Sequence, residues 1–188
     1  MIDNNTTEYY KTKEFNRLRA AWREMEQEYN YISEFYKQAK NELNLIIIEE
    51  AKKLNLHDVL SEEPQEKKIE KQEAFEDESI KSVYRETAKA SHPDVAGLES
   101  IKEFKVLAKA KKEQHLNRML DVAAKFKVKN KNITYEQIDL IKKEIVEIKK
   151  KIDEIHSSIY WRWHIASRIE KNTILKNIIN HLKNEQKK

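Results

Sequence analysis

Apolar side chains recur at alternating three- and four-residue intervals near the start of the chain. The stripe contains Phe15, Leu18, Trp22, Met25, Tyr29, Ile32, Tyr36, Ala39, Leu43 and Ile46. This spacing is typical of a coiled-coil seam, because it places every member on one face of an α-helix. We therefore predict a long coiled-coil helix within residues 1–56. Leu45, Ile47 and Ile48 widen the stripe near its end, which indicates broader packing against a head there.

A second stripe with the same spacing occupies residues 131–188. Its members are Ile138, Ile141, Ile145, Ile148, Ile152, Ile155 and Ile159. Thr134 and Gln137 form a capping-box pattern ahead of it, so the helix should begin near Tyr135. We expect this second coiled-coil helix to continue past Ile169 and to end in a basic tail.

Two heptad segments of similar length favour an antiparallel hairpin, in which each apolar face covers the other. Such a stalk would pair Ile46 with Ile141, Tyr29 with Ile159 and Met25 with Trp163. A parallel homodimer through the isoleucine seam is the alternative, since such seams also self-associate.

The sharpest break in the pattern is His92-Pro93-Asp94, between the two stripes. The only glycine, Gly97, and one of the two prolines occur here. An amphipathic stripe precedes the break and contains Ile80, Val83, Tyr84, Thr87 and Ala88. The sequence therefore predicts a short helix that ends in a tight, exposed loop.

A second helix should follow this loop. Ser100 and Glu103 form another capping-box pattern, so the helix should begin near Ile101 and run to about Phe126. Its inward positions would be Phe104, Leu107, Ala110, Leu116 and Leu120. Residues 80–130 thus form a small helical head, inserted between the two long helices.

At these positions the head resembles the J-domain family of DnaJ-like co-chaperones. The matching residues are Ile80, Lys81, Tyr84, Arg85, Ala88, His92, Pro93, Asp94, Phe104, Lys105, Leu107 and Ala110. Thr87 stands where the family usually has leucine, and Ser91 where it usually has an aromatic residue. Leu56 to Leu60 is the candidate for the family's short first helix.

The resemblance implies a function in protein–protein interaction. In J-domains, the loop and the basic second helix dock onto a DnaK-type heat-shock chaperone and stimulate its ATPase. The implied chaperone-binding residues are His92, Pro93, Asp94, Lys81, Arg85, Lys89 and Tyr84. The chaperone partner hydrolyses the ATP, so the chain itself is not expected to be an enzyme. The coiled-coil stalk would bind a client or partner, or would oligomerise.

The charge is unevenly distributed. Residues 61–79 hold eight acids and three lysines, whereas residues 80–130 hold twelve bases and six acids. An acidic linker, residues 57–79, thus precedes a basic head. Opposite fields raise encounter rates, so the basic helix is suited to an acidic partner surface.

Composition narrows the class of protein further. With 37% charged residues, one glycine and no cysteine, the chain is typical of an elongated, all-α, cytoplasmic protein. Neither a membrane span nor a secretion signal is present in the pattern, so no membrane partner is expected. The histidines are too scattered to predict a metal site, and no glycine-rich loop indicates a phosphate-binding cofactor.

Two other functions compete with the co-chaperone hypothesis. The departures at Thr87 and Ser91 favour a coiled-coil scaffold or adaptor whose head has lost chaperone coupling. The basic stretch from Lys102 to Lys129 also suggests nucleic acid, but it has few aromatic residues for stacking on bases, which disfavours that partner.

Overall fold

The computed structural model describes residues 4–54, 78–130 and 132–186, which form an all-α fold. The helices are α1 (Asn4–Lys53), α2 (Glu78–Ser91), α3 (Pro93–Ala96), α4 (Ile101–Lys112), α5 (Leu116–Lys125), α6 (Tyr135–Ser157), α7 (Ile159–Ile165) and α8 (Arg168–Glu185), and a 3-10 turn spans Leu98–Ser100. The predicted linker lies outside the described residues except for its last two positions, which begin α2. Residues 56–60, the candidate first helix of the head, also lie outside them.

The chain divides into two compact units. Unit 1 combines Met1–Glu26 with Ile69–Ile148, and unit 2 combines Gln27–Lys68 with Lys149–Lys188. Each of the predicted long segments therefore supplies residues to both units. This division cuts across the predicted separation into a stalk and a head.

Unit 1 is built around one core that five helices share. The buried members include Phe15 from α1, Ile80 from α2, Leu107 from α4, Leu116 and Met119 from α5, and Ile138 and Ile141 from α6. Burying such side chains is the main stabilising term in a helical domain. The head thus shares its core with the first half of α1 and the start of α6. The predicted packing of the head against the C-terminal end of α1 is wrong, because Ile46 and Ile47 there pack against the cluster of Ala39, Leu43 and Trp163.

Polar contacts fix the directions of the helices in unit 1. Arg19 and Arg23 of α1 both bond Asp121 of α5, while Glu26 bonds Arg118, so residue numbers rise on α1 as they fall on α5. α5 is therefore antiparallel to α1. Between α1 and α6, by contrast, residue numbers rise together. The Lys11 ammonium lies 5.6 Å from the Tyr135 ring centre, and Glu14 is 3.0 Å from Lys142. In unit 1, α6 therefore runs in the same direction as α1.

Unit 2 packs the second half of α1 against α7 and α8. Ala39, Leu43 and Trp163 form its buried cluster. Tyr36 lies 5.5 Å from Tyr160 between ring centres, and Glu42 is 3.3 Å from Lys171, so this half of α1 contacts both helices.

These contacts contradict the antiparallel hairpin. Ile46 packs in unit 2 and Ile141 in unit 1, so the predicted pair is wrong. Trp163 packs with Ala39 and Leu43, whereas its predicted partner Met25 belongs to unit 1. An apolar stripe has the same spacing in either direction, and the spacing alone could not distinguish the two arrangements.

The predicted helix past Ile169 is interrupted twice. The Ser158 hydroxyl accepts the Trp161 amide at 3.1 Å, which ends α6 and begins α7. Ser167 and Glu170 then form a complete capping box that begins α8. As a result, the isoleucine seam is buried or partly buried through Ile155, while Ile169 is 80% exposed.

The predicted helix from Ile101 to Phe126 is also divided. α4 ends at Lys112, and Gln114 adopts a positive φ of 57° that a right-handed helix cannot contain. α5 then begins at Leu116 and packs back on α2 and α4. Of the helices described, none combines the length and apolar character needed to cross a bilayer.

Candidate partner-binding site at the His-Pro-Asp turn

α2 and α4 form an antiparallel pair that presents the turn. The His92 ring lies 5.3 Å from the Phe104 ring, edge to face, and the Lys111 ammonium lies 4.3 Å from the Tyr84 ring centre. His92, at the end of α2, contacts the start of α4, whereas Tyr84, earlier in α2, contacts the end of α4. This antiparallel arrangement is expected for neighbouring helices joined by a short connection. His92, Pro93 and Asp94 therefore occupy the end of a helical hairpin, as the sequence predicts.

Local bonds hold the turn in one shape. His92 has extended backbone angles and caps α3, and its Nδ1 accepts the Asp94 amide at 3.2 Å. Pro93 occupies the first position of α3, where a missing N–H costs nothing and the fixed φ favours a helix. The Gly97 amide donates to Pro93 O at 2.9 Å, with a φ of 84° that disfavours any side chain.

The Asp94 carboxylate is directed to solvent. Its side chain is 88% exposed, and Oδ2 lies 3.5 Å from His92 Nδ1. Nδ1 accepts the Asp94 amide, and its contact with the carboxylate does not take that group out of solvent. Asp94 can therefore offer both oxygens to a cation of another molecule, and a guanidinium is the best geometric match.

An apolar hollow of about 350 Å³ lies beside the turn. It is lined by Ala88, Lys89, His92, Val95 and Phe104. Val95 is 74% exposed and the nearby Leu98 is 79% exposed, which is unusual for such apolar residues. Phe104, predicted to face inward, is only half-buried here, and Val95 had no predicted role. The contact between Phe104 and His92 spans two helices, so no spacing in the sequence indicated it.

The predicted basic face of α2 is partly neutralised. Arg85 Nη1 lies 2.6 Å from Glu78 Oε1, and Lys81 Nζ lies 3.8 Å from Glu78 Oε2. Lys89 is exposed and forms no ion pair with any residue that the structure describes. Lys111 of α4 adds a cation over Tyr84, which extends the basic surface from α2 onto α4.

Two buried polar side chains explain how α2 departs from the family pattern. Thr87 and Ser91 are fully buried. The Thr87 hydroxyl donates to Val83 O at 2.7 Å, and the Ser91 hydroxyl donates to Thr87 O at 2.8 Å. Each hydroxyl is satisfied within its own helix, so these small side chains can stand where larger apolar ones are usual.

The predicted capping box at Ser100 does not form. Ser100 has helical backbone angles and makes no capping bond, and its hydroxyl donates instead to Gly97 O at 2.8 Å. The 3-10 turn before α4 already carries the chain into a helical path, so Ser100 lies inside the turn. At the other predicted box, the Thr134 hydroxyl accepts the Gln137 amide at 3.2 Å, as expected.

Within the described ranges, no three His, Asp or Glu side chains gather closely enough to hold a metal ion. The arrangement offers an exposed carboxylate, an apolar hollow and several cations for non-covalent contacts.

No family model matches the chain, and neither a curated protein nor a solved structure is detectably similar to it. The resemblance to J-domains therefore rests on the sequence positions given above.

Proposed function

We propose that the protein is a J-domain-like co-chaperone, which docks on a DnaK-type chaperone in the cytoplasm and stimulates its ATPase. The docking residues are His92, Pro93 and Asp94 in the turn, with Lys81, Tyr84, Arg85 and Lys89 on α2. The remaining helices would carry a client or a second partner.

The observation that carries the proposal is the exposed turn at the end of the α2–α4 hairpin. Asp94 is the most exposed of its residues, at 88% of the side chain, while its backbone is held by the His92 cap. A rigid loop loses little entropy on binding, so its few contacts yield more net affinity.

A second candidate is an adaptor whose head binds a partner without stimulating ATP hydrolysis. The pairing of Glu78 with both Arg85 and Lys81 favours it, because these cations are then less available to an acidic partner. Both candidates bind a partner protein, but only the co-chaperone stimulates ATP hydrolysis by that partner.

Single-turnover ATP hydrolysis by a purified DnaK-type chaperone tests the proposal. We expect the full-length protein to raise the hydrolysis rate, and His92→Gln and Asp94→Asn each to abolish that stimulation. Both substitutions affect exposed groups of a short turn, so the helical circular dichroism signal should stay unchanged. His181→Gln, on α8, is the matched control and should stimulate as the native protein does.

Three outcomes separate the possibilities. Stimulation that His92→Gln and Asp94→Asn leave intact would overturn the assigned site. Binding of the chaperone without stimulation would favour the adaptor. Neither binding nor stimulation by any DnaK-type chaperone would refute the proposed function.

A further inference from the structure

A continuous row of five rings lies in unit 2. Ring centres are 4.8 Å apart between Tyr31 and Phe35, and 4.8 Å apart between Phe35 and His164. The row continues from His164 to Trp161 at 5.4 Å, and from Trp161 to His156 at 4.9 Å. It thus joins α1, α7 and the end of α6, and the proposed chaperone site uses none of it.

Two exposed isoleucines follow the row in sequence: Ile165 comes directly after His164, and Ile169 lies four residues further on. Tyr31 is 65% exposed, Ile165 66% and Ile169 80%. Ile165 and Ile169 flank the extended junction between α7 and α8, where Ala166 and Ser167 have extended backbone angles. Exposed isoleucines beside aromatic rings are characteristic of an interaction surface. We call Tyr31, Phe35, Trp161, Ile165 and Ile169 the aromatic patch.

The charge around the α7–α8 junction is one-sided. Residues 155–169 contain Arg162 and Arg168 but no Asp or Glu. The nearest acids lie at either end of this stretch: Glu154 is 3.9 Å from Lys150, and Glu170 accepts the Ser167 amide at 2.8 Å. On α1, the exposed Glu34 is the acid next to Phe35 in sequence. The α7–α8 junction itself therefore carries two arginines among exposed apolar groups.

We propose that the aromatic patch, together with Arg162 and Arg168, binds the surface of a bilayer that contains anionic phospholipid. Tryptophan and tyrosine have an apolar body and a polar edge, which suits the boundary between headgroups and acyl chains. Arginines beside them pair with lipid phosphates. The expectation of no membrane partner came from the lack of a long apolar run, and a segment that lies on a bilayer needs none.

Charge and ring packing disfavour two other partners for the aromatic patch, a second copy of the chain and a nucleic acid strand. A second copy of the chain would bring Arg162 and Arg168 against the same arginines, which repel. A nucleic acid strand would need free ring faces for stacking, but the Trp161 ring already has two imidazole rings within 5.4 Å. Phosphates at a bilayer surface satisfy the cations without requiring either arrangement.

Co-sedimentation of the full-length protein with vesicles tests the proposal. We expect binding to phosphatidylcholine vesicles that contain phosphatidylserine, and much weaker binding to pure phosphatidylcholine. Trp161 supplies a second readout. Trp22 and Trp163 are 2% and 3% exposed, so iodide should quench mainly Trp161. Anionic vesicles should protect this fluorescence from iodide and shift it to shorter wavelength.

Variants distinguish binding through the aromatic patch from non-specific adsorption to vesicles. Ile165→Asp combined with Ile169→Asp should weaken vesicle binding on the order of tenfold or more, because two apolar contacts are replaced by charges that anionic lipid repels. Arg162→Gln and Arg168→Gln should each weaken it about fivefold. Leu45→Asp is the matched control, since Leu45 is 62% exposed on α1 outside the aromatic patch, and it should bind normally.

Several results would overturn the proposal. They are no binding to anionic vesicles, equal binding by the Ile165→Asp, Ile169→Asp double variant, or equal loss in the Leu45→Asp control. Concentration-dependent dimers that this double variant abolishes, without vesicle binding, would assign the aromatic patch to a second copy. A shift with single-stranded DNA or RNA in place of vesicle binding would assign it to nucleic acid.

Discussion

Glu144 on α6 caps the N-terminus of α5 from a neighbouring helix. One of its carboxylate oxygens accepts the Leu116 amide at 2.5 Å, and the other accepts the Asn117 side-chain amide at 3.0 Å. A carboxylate at this end of a helix also complements the helix dipole. Glu144 is nevertheless only 6% exposed, and burial raises its pKa from 4.5 to about 7 despite these hydrogen bonds.

This raised pKa predicts a pH dependence of stability. In the unfolded chain Glu144 titrates near its ordinary value, so the folded state holds an extra proton between about pH 4.5 and 7. The resulting stabilisation is fully present below that range and is lost as pH rises through about 7. A shift of this size corresponds to about 3 kcal/mol.

Glu144→Gln isolates this effect, because glutamine keeps an oxygen acceptor for Leu116 and cannot ionise. In urea unfolding from pH 5 to 8, the native protein should lose up to about 3 kcal/mol relative to the variant. Glu154→Gln, at an exposed position further along the same helix, should follow the native profile. Identical slopes for the native protein and Glu144→Gln would show that the buried carboxyl is not the source.

Glu78 predicts a salt-dependent gain in chaperone affinity. Of the acids in the predicted acidic linker, only Glu78 lies within the described residues, and it pairs with Arg85 and Lys81. Glu78→Gln should release both cations and tighten chaperone binding about two- to fivefold at low salt. The gain should shrink as salt screens the surface.

Isothermal titration at two salt concentrations measures this gain. Glu86→Gln serves as the control, because it removes the same charge from α2 at a position that pairs with no base in the described part of the chain. An equal gain in both variants would mean that net charge, and not the release of Arg85 and Lys81, is responsible.

The direction of the long helices can be tested by zero-length crosslinking. A carbodiimide joins a carboxylate to a lysine in direct contact, and Glu14 with Lys142 and Glu42 with Lys171 meet this condition. Mass spectrometry of the monomer at low concentration should identify both pairs. Lys142→Arg should remove only the first crosslink, since the guanidinium does not react. Crosslinks from Glu14 to Lys171 or Lys176 would instead support the antiparallel arrangement.

Apolar periodicity was sufficient to predict which faces are buried. Trp22 and Leu43 of the first stripe are 2% and 0% exposed, and Ile141 of the second is 0% exposed. Apolar spacing could not predict the direction in which the helices pair, because that direction depends on particular contacts such as the one between Glu14 and Lys142.

The break at Ser167 did have a signal in the sequence. Serine followed three residues later by glutamate is a capping-box pattern, and continuous isoleucine spacing masked it. Similarly, Glu78 and Arg85 are seven residues apart and lie on one face of a helix, which their spacing alone would have indicated. By contrast, the contacts of Lys111 with Tyr84 and of His92 with Phe104 depend on how α2 packs against α4.

The shared core of unit 1 has a consequence for synthesis on the ribosome. Phe15 and Ile141 belong to one cluster although most of the chain separates them. α1 therefore leaves the exit tunnel with its apolar stripe uncovered, and it stays so until α6 has been translated. Contacts between such distant residues also slow folding. During that interval the nascent chain carries the kind of exposed hydrophobic segment that chaperones bind.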